Sequence, residues 1–176
     1  MKDTVIKGRI WVLTDENGKI YNDIDTDMIF HNSHLHITDM EKMGQYALGN
    51  LKAWEDFPKR CQSGDIVLAC KNFGCGSSRQ QAVDCFRALK VGALIAESYG
   101  AIYKRNAINS GFPILSLPGL SGMEKEFRNG DELEVDFETG KIVLNGEKEF
   151  QAKPFSKVQM DSYQAGDLFA HGKSLS

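Results

Sequence analysis

Two apolar runs of strand length stand out in the first half of the chain. Residues 66–70 and 91–96 contain no polar or charged side chain, a pattern typical of strands that are covered on both faces. Residues 8–13 and 113–117 are further strand candidates. Between the two runs, apolar residues recur at i, i+3, i+4 and i+7, namely Ala82, Cys85, Phe86 and Leu89. The pattern therefore predicts a buried strand, a helix and a second buried strand.

Two more helices are predicted from capping signals and spacing. Thr38 begins a Thr-x-x-Glu capping box, and apolar residues at helical spacing follow it, so we expect a helix that runs to about residue 51. Ser98 can cap a second helix that runs to about residue 109, with Gly111 as its stop. Strands that alternate with helices indicate a largely parallel core.

Beyond Gly119 the pattern becomes one of alternating apolar and polar residues. Turn sequences at 138–140 and 145–146 separate three short alternating segments, which cover residues 132–137, 141–144 and 148–152. This arrangement predicts antiparallel hairpins, followed by a short helix and a glycine-interrupted tail over residues 156–174. We therefore expect one α/β domain over residues 1–176, with a core at about 8–120 and closing hairpins and tail at about 121–174.

Composition and charge narrow the function classes. The 176 residues are 41% hydrophobic and 26% charged, as in an ordinary globular domain, and the formal net charge is −3. No dense Lys/Arg run is present, which argues against nucleic acid or an anionic membrane as the main partner. The sequence has no apolar run of about 18–20 residues and no signal-peptide pattern at its start. We expect a cytoplasmic protein.

The cysteines and histidines do not form a recognisable metal motif. Cys61, Cys70, Cys75 and Cys85 include no Cys-x-x-Cys pair, so reduced thiols are expected. His31, His34 and His36 crowd into one stretch that would be compatible with metal binding, but the spacing is not specific. We expect no metal site built by this chain alone.

A glycine-punctuated string after the first buried run is the strongest chemical signal. Gly74 and Gly76 precede Ser77, Ser78 and Arg79 at the predicted start of a helix. Glycines let the backbone approach a ligand closely, and free amides at a helix start attract anions. Arginine adds a planar fork that meets a carboxylate with two hydrogen bonds. A serine alkoxide is also less disfavoured beside amides and a guanidinium.

Other interpretations of this string remain open from the residues alone. It is also compatible with a plain turn followed by an N-capping serine. A dinucleotide-binding Gly-x-Gly-x-x-Gly pattern fails because position 79 is Arg, and the Gly-Lys-Ser/Thr ending of a phosphate loop is missing. The string thus favours a carboxylate over a nucleotide as ligand.

Three ordered motifs resemble the aconitase superfamily, and in particular its small, separate subunits. The family's Gly-Ser-Ser-Arg is found at residues 76–79, and its Asp-x-Asp-Thr-Asp-x-Ile is similar to residues 23–29. Residues 99–111 resemble its Arg-Asn-Ala-Ile-Asn-x-Gly helix, and a further likeness covers residues 164–168. The resemblance spans nearly the whole chain. It implies a swivelling β/β/α three-layer domain with a largely parallel core and a C-terminal antiparallel hairpin region.

The resemblance also implies a reaction and a partner. Members of the isopropylmalate dehydratase type dehydrate and rehydrate a small hydroxy-di- or tricarboxylate. Ser77 would be the base, Ser78 and Arg79 would bind substrate carboxylate, and Asp27 would be the active-site aspartate that follows a threonine. A 4Fe-4S cluster would be carried by a large partner subunit, in a heterodimer or heterotetramer, because the cysteine spacing here does not resemble the family's cluster motif.

Further residues acquire expected roles by the same resemblance. His36 and Ile37 lie where relatives contact the variable end of the substrate. Gly74, Gly76, Arg105 and Asn106 would support the site from behind. From the residues alone, the alternating aspartates at 23, 25 and 27 indicate a solvated turn. With the resemblance, Asp23 and Asp25 are still expected to be turn and packing residues.

The sequence departs from the family pattern just after Arg79. Relatives usually continue with Glu-His or Glu-Gln, whereas here Gln80 and Gln81 follow, which removes a negative charge and predicts a less neutralised arginine. The isopropylmalate dehydratase type is the first expectation. Alternatives of the same class are the small subunits of a homoaconitase, a methylmalate (citraconate) dehydratase and a 2,3-dimethylmalate dehydratase. An alternative of another class is a non-catalytic anion-binding regulatory module. An enzyme requires the large partner, whereas a regulatory module does not.

Overall fold

The computed structural model describes residues 1–166 of the chain. A single sheet of seven strands runs through it. The strands are β1 (Val5–Val12), β2 (Ile66–Leu68), β3 (Ala93–Ala96), β4 (Ile114–Ser116), β5 (Glu132–Asp136), β6 (Lys141–Leu144) and β7 (Lys148–Gln151). The α-helices are α1 (Thr26–Ile29), α2 (Met40–Met43), α3 (Phe57–Arg60), α4 (Gln81–Ala88), α5 (Ala101–Asn109) and α6 (Lys157–Ala165).

The strand order is β4-β3-β2-β1-β5-β6-β7, with β1 shared between two kinds of pairing. Its residues 10–12 pair in parallel with β2, whereas residues 5–9 pair antiparallel with β5. Gly8 lies next to this change, where a Cβ would stand 2.1 Å from the Gly64 carbonyl oxygen, so no larger residue fits. Parallel pairing continues from β2 to β4 and antiparallel pairing from β5 to β7.

Both faces of the parallel strands are buried, which explains their unbroken apolar runs. Alternate residues point to opposite sides. One side packs against the first five helices through Trp11, Val67, Leu94, Phe57, Phe86 and Tyr103. The other side packs against the antiparallel strands and α6 through Ile10, Ile66, Ile95, Leu133, Val135, Ile142 and Tyr163. Helices, parallel sheet and antiparallel ribbon form three layers, which confirms the predicted β/β/α fold.

The predicted helix over residues 38–51 is wrong. The helix α2 ends at Met43 and a 3₁₀ turn, Gly44–Tyr46, follows it. Leu48 has φ +58°, which no α-helix allows. It is fully buried, and its amide donates to the Ile29 carbonyl. The apolar residues at helical spacing are therefore buried by an irregular, non-helical segment after Met43. Tertiary contacts override the helical pattern. The cap is also Asp39 instead of Thr38.

The C-terminal half matches its prediction more closely. The strands β5, β6 and β7 and their two turns lie where the alternation places them, and Asn145 and Gly146 both have positive φ, as their turn requires. Gly111, with φ +69°, ends α5 as predicted. Ser98 does not cap that helix, because the cap is Gly100 and the Ser98 hydroxyl instead accepts from the Asn72 amide.

Two remaining expectations concern the membrane and the tail. Within residues 1–166, none of the helices has the length and apolar character needed to cross a membrane. The predicted short helix after residue 156 is α6, which begins after the capping Ser156 and ends before Gly166. Residues 167 and 168 of the motif at 164–168 lie outside the described residues, as does the tail that follows.

Candidate active site

The candidate site lies beyond the carboxyl ends of the parallel strands, where open α/β sheets commonly bind ligands. Residues 72–79, here called the glycine loop, follow β2. Their backbone continues the parallel pairing, since Gly74 N donates to Ile24 O at 2.7 Å and Thr26 N donates to Cys75 O at 2.9 Å. On the opposite side, Phe73 N donates to the Ser98 carbonyl at 3.0 Å. The segment that begins α1 is thereby joined to the glycine loop.

Glycine is required in this loop for steric reasons. Gly74 has φ +79°, and a Cβ there would stand 2.2 Å from the ring of Tyr103. Gly76 has φ +98°, a backbone conformation that L side chains rarely adopt. Tyr103 is buried beneath the loop and donates to the Ala82 carbonyl at 2.9 Å. Sequence reasoning did not single out this tyrosine, although it lies in the third family motif.

The serines do not begin a helix, contrary to prediction. The helix α4 starts at Gln81 with Gln80 in the cap position, so Ser77, Ser78 and Arg79 belong to the loop that precedes it. A turn intervenes, in which Arg79 N donates to Ser77 O at 3.0 Å. Both serines are exposed, and within the described chain neither hydroxyl nor amide makes a hydrogen bond to protein. The donors that a carboxylate needs are therefore present in the loop itself.

Arg79 is held by an ion pair that sequence reasoning did not foresee. Its Nη1 donates to Asp27 Oδ1 at 2.9 Å and to the Phe30 carbonyl at 3.1 Å. The arginine side chain is only 15% exposed. Asp27 thus places a negative charge beside the arginine, although position 80 is Gln. Among residues 1–166 the Nε and Nη2 groups of Arg79 have no acceptor, which leaves one edge of the guanidinium for a ligand.

Asp27 is itself fixed from several sides. Its Oδ1 also accepts from Asn32 N at 3.0 Å, and its Oδ2 accepts from Asn50 Nδ2 at 3.1 Å. The hydrogen bond from Arg79 is the main cause that lowers the pKa of the Asp27 carboxyl below its usual value. Asp27 is therefore an ionised anchor for Arg79. Asn32 and Asn50 carried no sequence signal, since their contacts arise only in the folded chain.

The neighbouring aspartates have the structural roles expected of them. Asp25 is the N-cap of α1 and accepts from Met28 N at 2.8 Å. Asp23, which has φ +55°, accepts from Asn72 Nδ2 at 2.9 Å. Both side chains stabilise the junction between the start of α1 and the glycine loop, so only one aspartate of the run reaches Arg79.

Residues 31–37, here called the histidine segment, lie beside Asp27 and Arg79. His34 stacks on Tyr46 with ring centroids 3.9 Å apart, and burial lowers the pKa of its imidazole. Ile37 packs against the helical side of the core. Leu35 and His36 are exposed. His36 and Ile37 also line a shallow cavity of about 380 Å³ with Asp39, Lys42, Gln45 and Tyr46.

The two glutamines that follow Arg79 make different contacts. Gln80 Nε2 donates to Ser110 Oγ at 2.7 Å and to Asp84 Oδ1 at 3.1 Å, which connects the start of α4 to the end of α5. Gln81 Nε2 donates to the Leu35 carbonyl at 3.3 Å. Both side chains are thus engaged in packing the loop region.

The structure does not bring Arg105 and Asn106 to the glycine loop by any hydrogen bond. Arg105 is exposed and has no ion pair in the described part of the chain. Asn106 contributes its carbonyl, which accepts from Ser110 Oγ at 2.8 Å at the end of α5. From this helix it is Tyr103 that contacts the loop.

The cysteines are dispersed and poorly suited to bind a cluster together. Cys70 and Cys85 are buried, and burial raises the pKa of both thiols. Burial also raises the pKa of Cys61, to about 12. In residues 1–166 no group of three or more His, Cys, Asp or Glu side chains is arranged to hold a metal ion. This donor set therefore does not fit an iron–sulfur cluster.

Comparisons with known proteins agree with the fold and the motifs. The family model of the aconitase C-terminal domain matches residues 19–118, which include the glycine loop. The isopropylmalate/citramalate isomerase small subunit of Methanocaldococcus jannaschii is 37% identical, covering 97% of this chain and 95% of the relative. The 3-isopropylmalate dehydratase small subunit of Sulfolobus acidocaldarius is 39% identical, with coverages of 90% and 95%.

A solved structure gives the same result in three dimensions. The crystal structure of 3-isopropylmalate dehydratase from Methanocaldococcus jannaschii superposes with a TM-score of 0.84 at 32% identity, covering 97% of this chain and 95% of that one. Motifs, topology and relatives therefore agree, and the chain belongs to the aconitase C-terminal domain family.

Proposed function

We propose that this chain is the small subunit of a 3-isopropylmalate dehydratase, a hydro-lyase that interconverts 2-isopropylmalate and 3-isopropylmalate in leucine biosynthesis. The observation that carries the proposal is that an exposed Ser77 lies two residues before Arg79, whose Nη1 is bound to Asp27 while its Nε and Nη2 have no acceptor among residues 1–166. The small-subunit relatives, which match this chain over almost their whole length, support the same assignment.

The proposed division of labour follows from the contacts of each group. Arg79 binds a substrate carboxylate with its free edge, and Ser78 adds a hydroxyl and an amide donor. Asp27 orients Arg79 and keeps its charge balanced until substrate arrives. Ser77 removes the proton from the carbon next to the bound carboxylate, since unpaired amides and the guanidinium favour the alkoxide over its state in water. The glycines hold these groups at fixed positions.

The proposal requires a second chain. A 4Fe-4S cluster on a large subunit would act as Lewis acid for the departing hydroxyl, and the dispersed cysteines of this chain support the assignment of that cluster to the partner. The two chains would form a heterodimer or heterotetramer in the cytoplasm. Residues 1–176 would act as one domain, and neither nucleic acid nor a membrane would be a partner.

Substrate choice is assigned to the histidine segment. Leu35 and His36 are exposed, and the Leu35 carbonyl accepts from Gln81, two residues after Arg79; Ile37 is partly buried. An isopropyl group and a smaller methyl group are both compatible with this mixed surface. The relative from Methanocaldococcus jannaschii is named for both isopropylmalate and citramalate, so citramalate is a second candidate substrate.

The test is reconstitution. The chain is combined anaerobically with the large subunit encoded beside it and assayed with a panel of 2-hydroxy acids by the absorbance of the unsaturated product. We expect turnover of isopropylmalate, and none by either subunit alone. Turnover of homocitrate or dimethylmalate in its place would reassign the substrate. Full assembly without turnover of any acid in the panel would favour a regulatory module.

A further inference from the structure

Two side chains hold the histidine segment next to the glycine loop. Arg79 Nη1 donates to the Phe30 carbonyl at 3.1 Å, immediately before the segment. Gln81 Nε2 donates to the Leu35 carbonyl at 3.3 Å, within the segment. Arg79 ends the glycine loop and Gln81 is the first residue of α4. The two donors therefore link the two ends of residues 30–35 to the end of the glycine loop and the start of α4.

The other anchors of the segment do not restrain Leu35 and His36 directly. His34 stacks on Tyr46, and Ile37 packs on the core. Leu35 N donates to Asn32 O at 3.3 Å and Ile37 N to His34 O at 3.0 Å, both within the segment. In the described chain, Gln81 makes the one hydrogen bond from α4 to these residues.

Gln80 provides an internal comparison. It has the same side chain and precedes Gln81 directly, but its amide donates to Ser110 Oγ at 2.7 Å and to Asp84 Oδ1 at 3.1 Å. These contacts lead to α4 and α5 and do not involve the histidine segment. A change at Gln80 therefore perturbs the packing of the helices without removing a contact to Leu35.

We infer that Gln81 is a positioning residue for substrate selection, whose amide sets how far Leu35 and His36 stand from the carboxylate-binding Arg79. The inference rests on the proposed function of the site. A substituent on the hydroxy-dicarboxylate must fit between the arginine and these two residues. When the tether is lost, Leu35 and His36 are less restrained and discriminate less between substituents of different size.

The first test measures selectivity in the reconstituted two-subunit enzyme. Gln81→Glu replaces the donor by an acceptor that faces the Leu35 carbonyl, and Gln81→Ala removes the donor without adding charge. We expect the ratio of kcat/KM for isopropylmalate to that for citramalate to change about three- to tenfold in both variants, the size set by one hydrogen bond. Gln80→Ala, the control matched to Gln81→Ala, is expected to keep the wild-type ratio. An unchanged ratio in the Gln81 variants, or an equal change in Gln80→Ala, would overturn the inference.

The second test does not depend on activity. Hydrogen–deuterium exchange of the full chain reports the amides of His34, Leu35 and Ile37, whose hydrogen bonds lie in the histidine segment. Gln81→Ala should accelerate their exchange about threefold or more, as expected for loss of one hydrogen bond, while Gln80→Ala should not. Equal protection in both variants contradicts the tether. Failure of the wild-type enzyme to use either substrate, with the exchange difference present, contradicts the proposed function alone.

Discussion

The glycine loop and the histidine segment lie beside each other at the candidate site, but they are held in different ways. The glycine loop is fixed by main-chain pairing on two sides and contains two glycines at positive φ, of which Gly74 has no room for a Cβ. The histidine segment is held by a ring stack and a few side-chain hydrogen bonds. The groups proposed for chemistry thus follow directly on residues paired with the sheet, whereas the groups proposed for selectivity depend on side-chain contacts that a substitution can remove.

The largest expected effect is on activity, from loss of the proposed base in the glycine loop. Ser77→Ala should lower kcat about 10²- to 10⁴-fold, the range typical of a lost general base, with no change in thermal stability because the hydroxyl has no partner among residues 1–166. Steady-state assay of the reconstituted enzyme measures the effect. Ser78→Ala should cost less, and an equal loss in the two variants would contradict separate roles.

Next in size is the effect of a methyl group beneath the glycine loop. Gly74→Ala places a Cβ against the ring of Tyr103 at positive φ, and we expect a loss of about 2–4 kcal/mol in the free energy of unfolding. Gly18→Ala is the control, because Gly18 has the same φ of +79° but open space around it. That variant should lose only about 1–2 kcal/mol. Equal losses in urea denaturation would show that the close packing under the loop is unimportant.

A smaller effect is expected where the two regions meet at Arg79. Arg79→Lys keeps the charge but loses the planar fork, so kcat/KM should fall about 10- to 100-fold, corresponding to one or two charge-assisted hydrogen bonds. Arg128→Lys, at an exposed position outside the site, serves as the control. Wild-type kinetics in Arg79→Lys would remove this arginine from substrate binding.

The smallest effect is the pH dependence of the Asp27–Arg79 pair. The pKa of Asp27 is lowered from its usual 3.8, so the pair stabilises the fold fully above about that pH and stops doing so as the pH falls through the lower folded-state pKa. The difference in unfolding free energy between wild type and Asp27→Asn should thus be full at pH 5 and shrink towards pH 3. The exposed Glu147→Gln variant is the comparison. A difference that persists at pH 3 would argue against the ion pair.

The two regions also differ in how far the sequence predicts them. Strands β2 and β3, helix α4 and the hairpins follow directly from apolar periodicity and turn residues, because each depends on local pattern and burial. The helix over residues 38–51 was predicted wrongly because its apolar residues are buried without forming a helix. The Leu48 amide, for example, donates to the Ile29 carbonyl instead of to a carbonyl one helical turn before it. Periodicity alone does not distinguish the two cases.

For the candidate site, motifs identified the residues but not their contacts. Asp27 and Arg79 are far apart in sequence, and their ion pair follows only from the pairing of residues 24–26 with the glycine loop. The same holds for Gln81 and Leu35. Arg105 shows the opposite case, since its motif suggested a supporting role and the structure leaves its side chain exposed. Side-chain partners across long sequence separations require the fold.

The central claim, that the glycine loop completes an active site shared with a large subunit, is tested most directly by competition. Ser77→Ala small subunit is titrated into an assay with wild-type small subunit at limiting large subunit. An inactive variant that still assembles should compete by mass action, so that isopropylmalate turnover falls to about half at equal concentrations of the two small subunits. Turnover that stays at the wild-type level, while the variant is shown by co-purification to occupy the large subunit, would contradict the claim.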